Sequence, residues 1–337
     1  MIDGKEVAMF TLKNRHGMWA EITNFGAKVV RLYVADRNGK FDDVVLGFDT
    51  LEEVVAKEEY FGATCGRFAN RIKDGKFTID HKEYTLAVNN GTNALHGGVD
   101  AFNTKVWDFV LADEQTLTLK LVSPDGEEGY PGELTVFLTY SVTDDNELSI
   151  HYEATTTKPT IVGLTNHSYF NLKGAGNGTV RDHILQINAD FVTLLDESFC
   201  PSGEIVSVEG SAFDFRQPTL IDERIDHEVY APGRGLDNNW CLRKHQQGDA
   251  VFAGYIYEPT TGRKMEVITT QPGMQVYTAN WVDKQVAKDG KTYESQHSIC
   301  LETQGFPNSP NIAHFPSSVL RPGESYNECC LYRFSAE

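Results

Sequence analysis

Apolar and polar residues alternate along much of this chain, and short turn sequences interrupt the alternation. Apolar residues occupy every second position over 134–140 and again over 148–152, with Asp144-Asp145-Asn146 between the two runs. A period of two is typical of a strand with one buried face, and an Asp/Asn-rich break is typical of a hairpin turn. The pattern therefore predicts an antiparallel hairpin and limits the fold to those built from paired strands.

The same signals recur elsewhere in the sequence. Asn38-Gly39, Asp74-Gly75 and Thr261-Gly262 each lie between runs rich in strand-forming residues, and each is predicted to be a hairpin turn. No alternation of strands with helices and no repeat of solenoid period is present. We therefore predict an all-β protein, a large antiparallel β-sandwich with very few helices.

Helical signals are confined to residues 50–60, where apolar residues recur on one helical face and Asp49 or Thr50 can cap the N-terminus. No linker of low complexity divides the chain, and a boundary near Lys158 has no support in composition. We predict a single domain over residues 1–337.

Composition excludes several classes of partner. The chain has 337 residues and a formal net charge of -18, which disfavours a nucleic-acid or anionic membrane partner. Residues 1–10 lack the pattern of a secretion signal, and no apolar run approaches the ~20 residues of a membrane span. Six cysteines are scattered without the spacing of metal ligands, which predicts reduced thiols, no bound metal and a cytoplasmic location.

Four short segments place polar groups inside apolar, strand-like sequence. They are Asn70-Arg71, His96, the run 165–171 and Glu302-Thr303-Gln304. Because a buried polar group is costly unless it has a partner, several of them in core-like sequence indicate a shared polar pocket. An inventory of one carboxylate, two imidazoles, amides and one guanidinium suits proton transfer on a neutral, hydroxyl-rich molecule.

Each of these residues also has a structural interpretation. His167 can be a buried histidine with ordinary hydrogen bonds, and His96, followed by Gly97-Gly98, can be a turn residue. Histidine is nevertheless the side chain best suited to proton exchange near neutral pH. Since side chains alternate along a strand, His167 should share a face with Thr165 and Tyr169.

The carboxylates are interpreted in the same way. Glu302 follows an apolar strand and can be a strand-end surface residue, although carboxylates are seldom buried without partners. Gln304 lies on the same strand face, so we expect both side chains to reach one cavity, where Gln304 binds substrate. Asp237, beside two asparagines and Trp240, is compatible with either a turn or a sugar site.

Taken together, the motifs resemble the aldose 1-epimerase (galactose mutarotase) family in order and approximate spacing over nearly the whole chain. They are Gly66-Arg67-Phe68-Ala69-Asn70-Arg71-Ile72, Leu95-His96-Gly97-Gly98, Thr165-Asn166-His167-Ser168-Tyr169-Phe170-Asn171-Leu172, Leu236-Asp237-Asn238 and Glu302-Thr303-Gln304-Gly305-Phe306-Pro307. The resemblance implies a β-sandwich with a concave sugar cleft. It also implies interconversion of the α and β anomers of an aldohexose such as galactose or glucose, without a cofactor.

The resemblance further implies roles for individual residues. Glu302 matches the general base, His167 the general acid, and His96 a second histidine at the ring oxygen. Asn70, Arg71 and Asp237 match residues that bind sugar hydroxyls, while Asn308 stands where the family usually has an aspartate. The oligomeric state stays open between monomer and homodimer.

Other functions remain alternatives at this point. A glycoside hydrolase would use Asp237 and Glu302 as its pair of carboxylates. A non-catalytic carbohydrate-binding protein would need neither Glu302 nor His167. A sugar-phosphate epimerase is disfavoured because only Arg67 and Arg71 carry positive charge within the motifs.

Overall fold

The computed structural model describes residues 1–2, 4–57, 60–244, 246 and 248–337, and β-strands dominate it. The first strands are β1 (Met9–Lys13), β2 (Trp19–Thr23), β3 (Lys28–Ala35), β4 (Phe41–Asp43), β5 (Ala63–Cys65), β6 (Arg71–Ile72), β7 (Lys76–Ile79), β8 (Lys82–Thr85) and β9 (Ala94–Leu95). Next come β10 (Asp108–Ala112), β11 (Thr116–Ser123), β12 (Leu134–Val142), β13 (Glu147–Thr156), β14 (Thr160–Ile161), β15 (Thr165–His167), β16 (Ile184–Ile187), β17 (Ala189–Leu195) and β18 (Pro201–Ser207). The last are β19 (Thr219–Leu220), β20 (Asp237–Leu242), β21 (Val251–Tyr257), β22 (Arg263–Thr269), β23 (Gly273–Tyr277), β24 (Gln285–Val286), β25 (Thr292–Tyr293), β26 (Cys300–Gln304), β27 (Val319–Leu320) and β28 (Tyr326–Ala336).

The largest sheet has nine strands in the order β10-β11-β12-β13-β28-β22-β21-β16-β19. The predicted hairpin is confirmed in it, because β12 pairs antiparallel with β13 across the turn that contains residues 144–146. Alternation explains its burial: Leu134, Val136 and Leu138 are fully buried on one face, while their neighbours are partly exposed. Each such side chain contributes about 1.5–3 kcal/mol when it is removed from water.

Two smaller sheets complete the sandwich. One has five strands in the order β18-β17-β20-β23-β26, and the other has four in the order β1-β2-β3-β4. One continuous core contains side chains from all three sheets, including Ile22 of β2, Leu138 of β12 and Val276 of β23. The predicted all-β sandwich is confirmed, and the five-stranded sheet forms one wall of the cavity described below.

Helices are few in the described part of the chain, as predicted. The α-helix is α1 (Leu51–Ala56), and the 3-10 helices are Lys73–Gly75, Phe102–Thr104, Glu127–Gly129, Ile221–Glu223, Glu228–Gly233, Lys288–Gly290 and Ser309–Asn311. Thr50 is the predicted cap, since its side chain accepts from the backbone N–H of Glu53. The helix is shorter than predicted: it ends before Tyr60, and Glu58 and Glu59 lie outside the described residues. No helix in the described ranges is long and apolar enough to span a membrane.

One predicted hairpin is wrong. Asp74-Gly75 forms a tight 3-10 turn, but the strands on its two sides do not pair with each other. Instead β6 pairs with β9 and β7 pairs with β8. The turn sequence predicts a change of direction, while long-range pairing decides the partner. By contrast, Asn38-Gly39 and Thr261-Gly262 do connect paired strands, β3 to β4 and β21 to β22.

Candidate functional site

A cavity of about 510 Å³ opens where three sets of strands meet. The five-stranded sheet contributes Asp237 and Glu302 to its lining, the β5–β15 pair contributes His167, and the β6–β9 pair leads to Arg71 and His96. Four predicted segments that are far apart in sequence therefore meet in one place. The volume lies within the range of small-molecule sites.

Glu302 lies in the middle of β26, where its backbone is paired with β23 opposite Gln275. Its side chain is only 2% exposed, and its Oε2 has no hydrogen-bond partner among the described residues. Burial raises the pKa of Glu302 well above its usual value, the charge of Asp237 raises it further, and Arg71 opposes both effects. A raised pKa allows this carboxyl to accept and release a proton near neutral pH.

His167 is the last residue of β15, and its Nε2 lies 3.6 Å from Oε1 of Glu302. The side chain is buried, and burial lowers the pKa of His167 to about 3. Its face is the predicted one, because Tyr169 also lines the cavity. A carboxyl group and an imidazole thus lie side by side in the cavity wall, and both are buried.

His96 has a left-handed backbone, with φ at 51°, and Gly97 and Gly98 after it also have positive φ. Its backbone N–H donates to Asn70 O at 3.0 Å, and the backbone N–H of Asn70 donates to His96 Nδ1 at 3.1 Å. Burial, helped by His167 and Arg71, lowers the pKa of His96 well below its usual value, so the imidazole is neutral. Since Nδ1 accepts, the single ring proton is on Nε2, and His96 is a hydrogen-bond donor towards the cavity.

Arg71 and Asp237 face the same cavity as the catalytic candidates. Arg71 Nε donates to Asn90 Oδ1 at 3.0 Å, and its guanidinium lies 5.8 Å from the ring centre of Phe199. Asp237 accepts from Gln275 Nε2 at 2.7 Å, and burial raises the pKa of this carboxyl while Arg71 lowers it. These residues offer fixed donors and acceptors to a polyhydroxyl ligand.

Asn70 also lines the cavity, and its backbone is left-handed with φ at 62°. Its Oδ1 accepts from the backbone N–H of Arg71 at 2.8 Å, so this side chain shapes the turn that presents the arginine. Asparagine tolerates this conformation better than most residues do.

Gln304 does not line the cavity, contrary to the expectation from its strand face. It lies two residues beyond Glu302 on β26, is 1% exposed and is opposite Gly273. Two residues of strand span about 6.6 Å, which carries this amide past the cavity wall. Both polar atoms of this amide lack a hydrogen-bond partner among the described residues, and substrate binding by Gln304 stays a prediction.

Six aromatic residues that line the cavity were not predicted as site residues. They are Tyr60, Phe61, Tyr169, Phe199, Tyr277 and Trp281. Gln275, which holds Asp237, was also missed. Its signal was available, because it is a polar residue inside the apolar strand β23, as Glu302 is in β26. The aromatic residues gave no such signal, since aromatic residues are common in strands and in cores.

A metal ion is one conceivable occupant, because ligand atoms of His96, His167 and Glu302 lie within 4.8 Å of one another. The hydrogen bond from Asn70 disfavours it, since it leaves the proton on the His96 nitrogen that would have to bind the metal. Phosphate is disfavoured as well. Arg71 is the sole lysine or arginine in the cavity lining across the described ranges, while Arg67 is buried elsewhere.

Comparisons with known proteins agree with this geometry. The aldose 1-epimerase family model matches residues 8–333. Galactose mutarotase of Sus scrofa is 45% identical over 317 residues, covering 94% of this chain and 90% of that protein. Aldose 1-epimerase of Escherichia coli K12 is 34% identical over 338 residues, covering 99% and 97%. The crystal structure of an aldose epimerase homologue from C. elegans has a TM-score of 0.90 at 32% identity, with 98% of this chain and 99% of that chain covered.

Proposed function

The chain belongs to the aldose 1-epimerase family, and from that premise we propose that Glu302 and His167 interconvert the α and β anomers of a neutral aldohexose. The observation that carries the proposal is the distance of 3.6 Å between His167 Nε2 and Glu302 Oε1 inside a buried cavity. Anomer exchange needs one group that removes a proton and one that supplies it, held on the same sugar ring.

The reaction is written in two steps. Glu302 removes the proton of the C1 hydroxyl while protonated His167 gives its proton to the ring oxygen, and the bond between C1 and the ring oxygen breaks. The resulting aldehyde turns about the C1–C2 bond. His167 then takes the proton back from the C5 hydroxyl, Glu302 returns its proton to the C1 oxygen, and the ring closes on the other face.

The pair of Glu302 and His167 carries the same net charge before and after ring opening. Ring opening starts from a carboxylate and an imidazolium, and it ends with a carboxylic acid and a neutral imidazole. Burial raises the pKa of Glu302 and lowers that of His167, which favours the second, uncharged state. Because the two groups are adjacent, a single shared proton can supply either state, and no exchange with solvent is needed within a turnover.

The other residues hold the sugar. The Nε2–H of His96 is placed to donate to the ring oxygen, where a hydrogen bond stabilises the charge that develops as the ring opens. Arg71, Asn70 and Asp237 bind hydroxyl groups, and Gln275 orients Asp237 through its 2.7 Å hydrogen bond. A neutral hexose such as galactose or glucose suits a lining that pairs one guanidinium, of Arg71, with the carboxyl groups of Asp237, Asp283 and Glu302. We further infer a cytoplasmic location, with a monomer or homodimer as the working form.

The test is anomerisation of freshly dissolved α-D-galactose, followed by polarimetry. We expect wild-type protein to accelerate the change in rotation and Glu302→Gln to lower kcat about a thousandfold, since glutamine keeps the shape and loses the basicity. Glu153→Gln, on the exposed face of β13, is the matched control and should behave as wild type. Wild-type rate in the folded Glu302→Gln variant would refute the role of Glu302. Release of reducing ends from a galactoside would favour a hydrolase instead.

A further inference from the structure

Three tyrosine rings surround the imidazole of His167. The ring of Tyr169 lies nearly parallel to it, with 4.8 Å between centroids and an interplanar angle of 18°. The ring of Tyr60 is also close to parallel, at 5.9 Å and 22°, and Tyr277 packs at 6.1 Å and 83°. These three residues, here called the tyrosine cage, come from different segments of the chain.

A proton-transferring histidine is usually oriented by a carboxylate or carbonyl on its second ring nitrogen. In His167 this device is reduced to the residue's own backbone, whose hydrogen bond raises the pKa of the ring slightly against burial. No other described residue makes a hydrogen bond to its Nδ1. Among the described residues, the ionisable side chain recorded against the ring is Glu302, which is itself the proposed base. The orientation of the imidazole therefore depends on the rings that pack against it.

The charges of neighbouring groups affect the stability of the protonated imidazole of His167. His96, whose ring lies 5.2 Å away, is neutral, and Arg71 carries positive charge in the same cavity. The carboxylates in the cavity lining are those of Glu302, Asp237 and Asp283. The face of an aromatic ring carries partial negative charge and attracts a cation, most strongly where water is excluded. Tyr169 and Tyr60 present such faces to His167.

We propose that Tyr60, Tyr169 and Tyr277 are positioning residues that hold the imidazole of His167 and stabilise its protonated form during ring opening. The proposal rests on the proposed function, because it assigns a purpose to the protonated state of His167 in that reaction. Tyr169 should contribute most, since its ring is the closest and the most nearly parallel. Loss of the cage should lower kcat more than it changes KM, because the proposed function assigns the sugar hydroxyls to Asn70, Arg71 and Asp237.

The experiment separates the charge of the ring face from its shape. Tyr169→Phe keeps a ring, Tyr169→Leu removes it, and phenylalanines with one, two and three fluorine atoms at position 169 keep the shape while they weaken the negative face. We expect Tyr169→Phe to retain most of kcat and Tyr169→Leu to lose about tenfold. Across the fluorinated series kcat should fall progressively, by about tenfold in total, with KM changing less than about twofold.

The same fluorinated series at Phe48 is the control. That buried ring faces Lys57 Nζ at 4.7 Å and does not line the cavity, so it has a similar interaction away from the reaction. At position 48, kcat should not change as fluorine atoms are added to the ring. A flat slope at position 169, or an equal loss in Tyr169→Phe and Tyr169→Leu, would overturn the cage. Tyr60→Leu, at a half-buried position, gives a second variant with a smaller expected loss.

The variant His167→Asn distinguishes a failure of the proposed function from a failure of the tyrosine cage. If this variant is as active as wild type, the acid role of His167 fails, and the proposed function must be revised. If it is inactive while the fluorinated series is flat, only the tyrosine cage fails. The measurements are polarimetric anomerisation rates over a range of galactose concentrations, with folding checked by circular dichroism.

Discussion

Arg67 and Glu302 are both ionisable residues buried among apolar ones, but most of the polar atoms of Arg67 have hydrogen-bond partners, with Nε as the exception, while those of Glu302 have few. Arg67 is 1% exposed, and its Nη1 donates to Pro131 O at 2.9 Å and to Gly132 O at 2.8 Å. Its Nη2 donates to Ser123 Oγ at 2.6 Å. Glu302 is as deeply buried, yet its Oε2 has no partner in the described ranges, and its Oε1 lies 3.6 Å from His167, a histidine whose pKa burial lowers to about 3.

The difference distinguishes a structural charge from a reactive one. Burial lowers the pKa of Arg67 to about 10, so the guanidinium stays charged and its hydrogen bonds tie four segments together. A carboxyl without partners is held in place by the surrounding fold at a cost in stability, and it remains available to a ligand. The structural role of Arg67 could not be predicted from the sequence. Arg67 and Arg71 belong to one motif, and both could equally be charges on the surface.

Among the variants that follow, exchange of His167, the partner of the reactive Glu302, should have the largest effect on kcat. We expect His167→Asn to lower kcat between about a hundredfold and a thousandfold, since asparagine can donate a hydrogen bond but cannot transfer a proton near neutral pH. His96→Asn, in a neighbouring position, should lower kcat/KM by about tenfold, mostly through KM. Steady-state polarimetry measures both. A larger loss of kcat in His96→Asn would move the acid role to that residue.

Removal of the structural charge should affect stability instead. Arg67→Met leaves buried carbonyls without donors, and we expect it to lower the free energy of unfolding by about 2–3 kcal/mol. Arg67→Lys keeps a charge and some donors, so it should lose less. Urea unfolding measures the stability, and kcat per folded molecule should stay near wild type. A selective loss of kcat in stable Arg67→Met would remove the distinction between the two regions.

Glu302→Gln should raise the free energy of unfolding, whereas Arg67→Met should lower it. Because burial raises the pKa of Glu302, the folded protein holds more protons than the unfolded chain between the two pKa values, and stability falls as pH rises through that interval. Glutamine does not titrate, so the variant should be more stable at pH 7 by on the order of 1–3 kcal/mol. The gain should disappear below about pH 4. Urea unfolding between pH 4 and pH 8 tests it, and a variant less stable than wild type at pH 7 would contradict it.

The smallest effect is expected at Asn308. Its backbone N–H donates to Arg71 O at 2.8 Å, and its Oδ1 accepts from the backbone N–H of Lys73 at 3.1 Å. Aspartate keeps that acceptor, tolerates the left-handed φ of 58° and loses only a long 3.4 Å donor bond to Pro201 O. Asn308→Asp should therefore change kcat/KM less than about threefold, while Asn308→Ala should raise KM more. Equal losses in both variants would show that the hydrogen bond from Lys73 N–H to Asn308 Oδ1 does not affect sugar binding.

Much of the fold could be predicted because local patterns determined it. The alternation in β12 and β13 predicts their burial, and Thr50 predicts the start of α1. Asp74-Gly75 was misassigned because a turn sequence does not specify which strands pair across the sheet. Residues 58 and 59 of the predicted helix lie outside the described part of the chain.

The site was predicted where a polar residue interrupts an apolar strand. Glu302 and His167 have that signal, and the structure brings them together with His96, Arg71 and Asp237. The tyrosine cage could not be found in this way, because tyrosine suits a strand core as well as a cavity. Gln304 shares the strand face of Glu302 but is not among the lining residues, because a shared face predicts the direction of a side chain and not its distance from the cavity.

The position of β28 has a consequence for synthesis on the ribosome. This strand lies between β13 and β22 and joins the two halves of the nine-stranded sheet. Its Tyr332 hydroxyl also donates to Leu301 O at 2.8 Å, next to Glu302. A nascent chain that ends before residue 326 already contains the cleft residues named above, but it lacks the strand that braces β26. Sugar turnover should therefore begin only after residues 326–336 have left the exit tunnel, and until then the open edges of β13 and β22 are exposed to chaperones and to other chains.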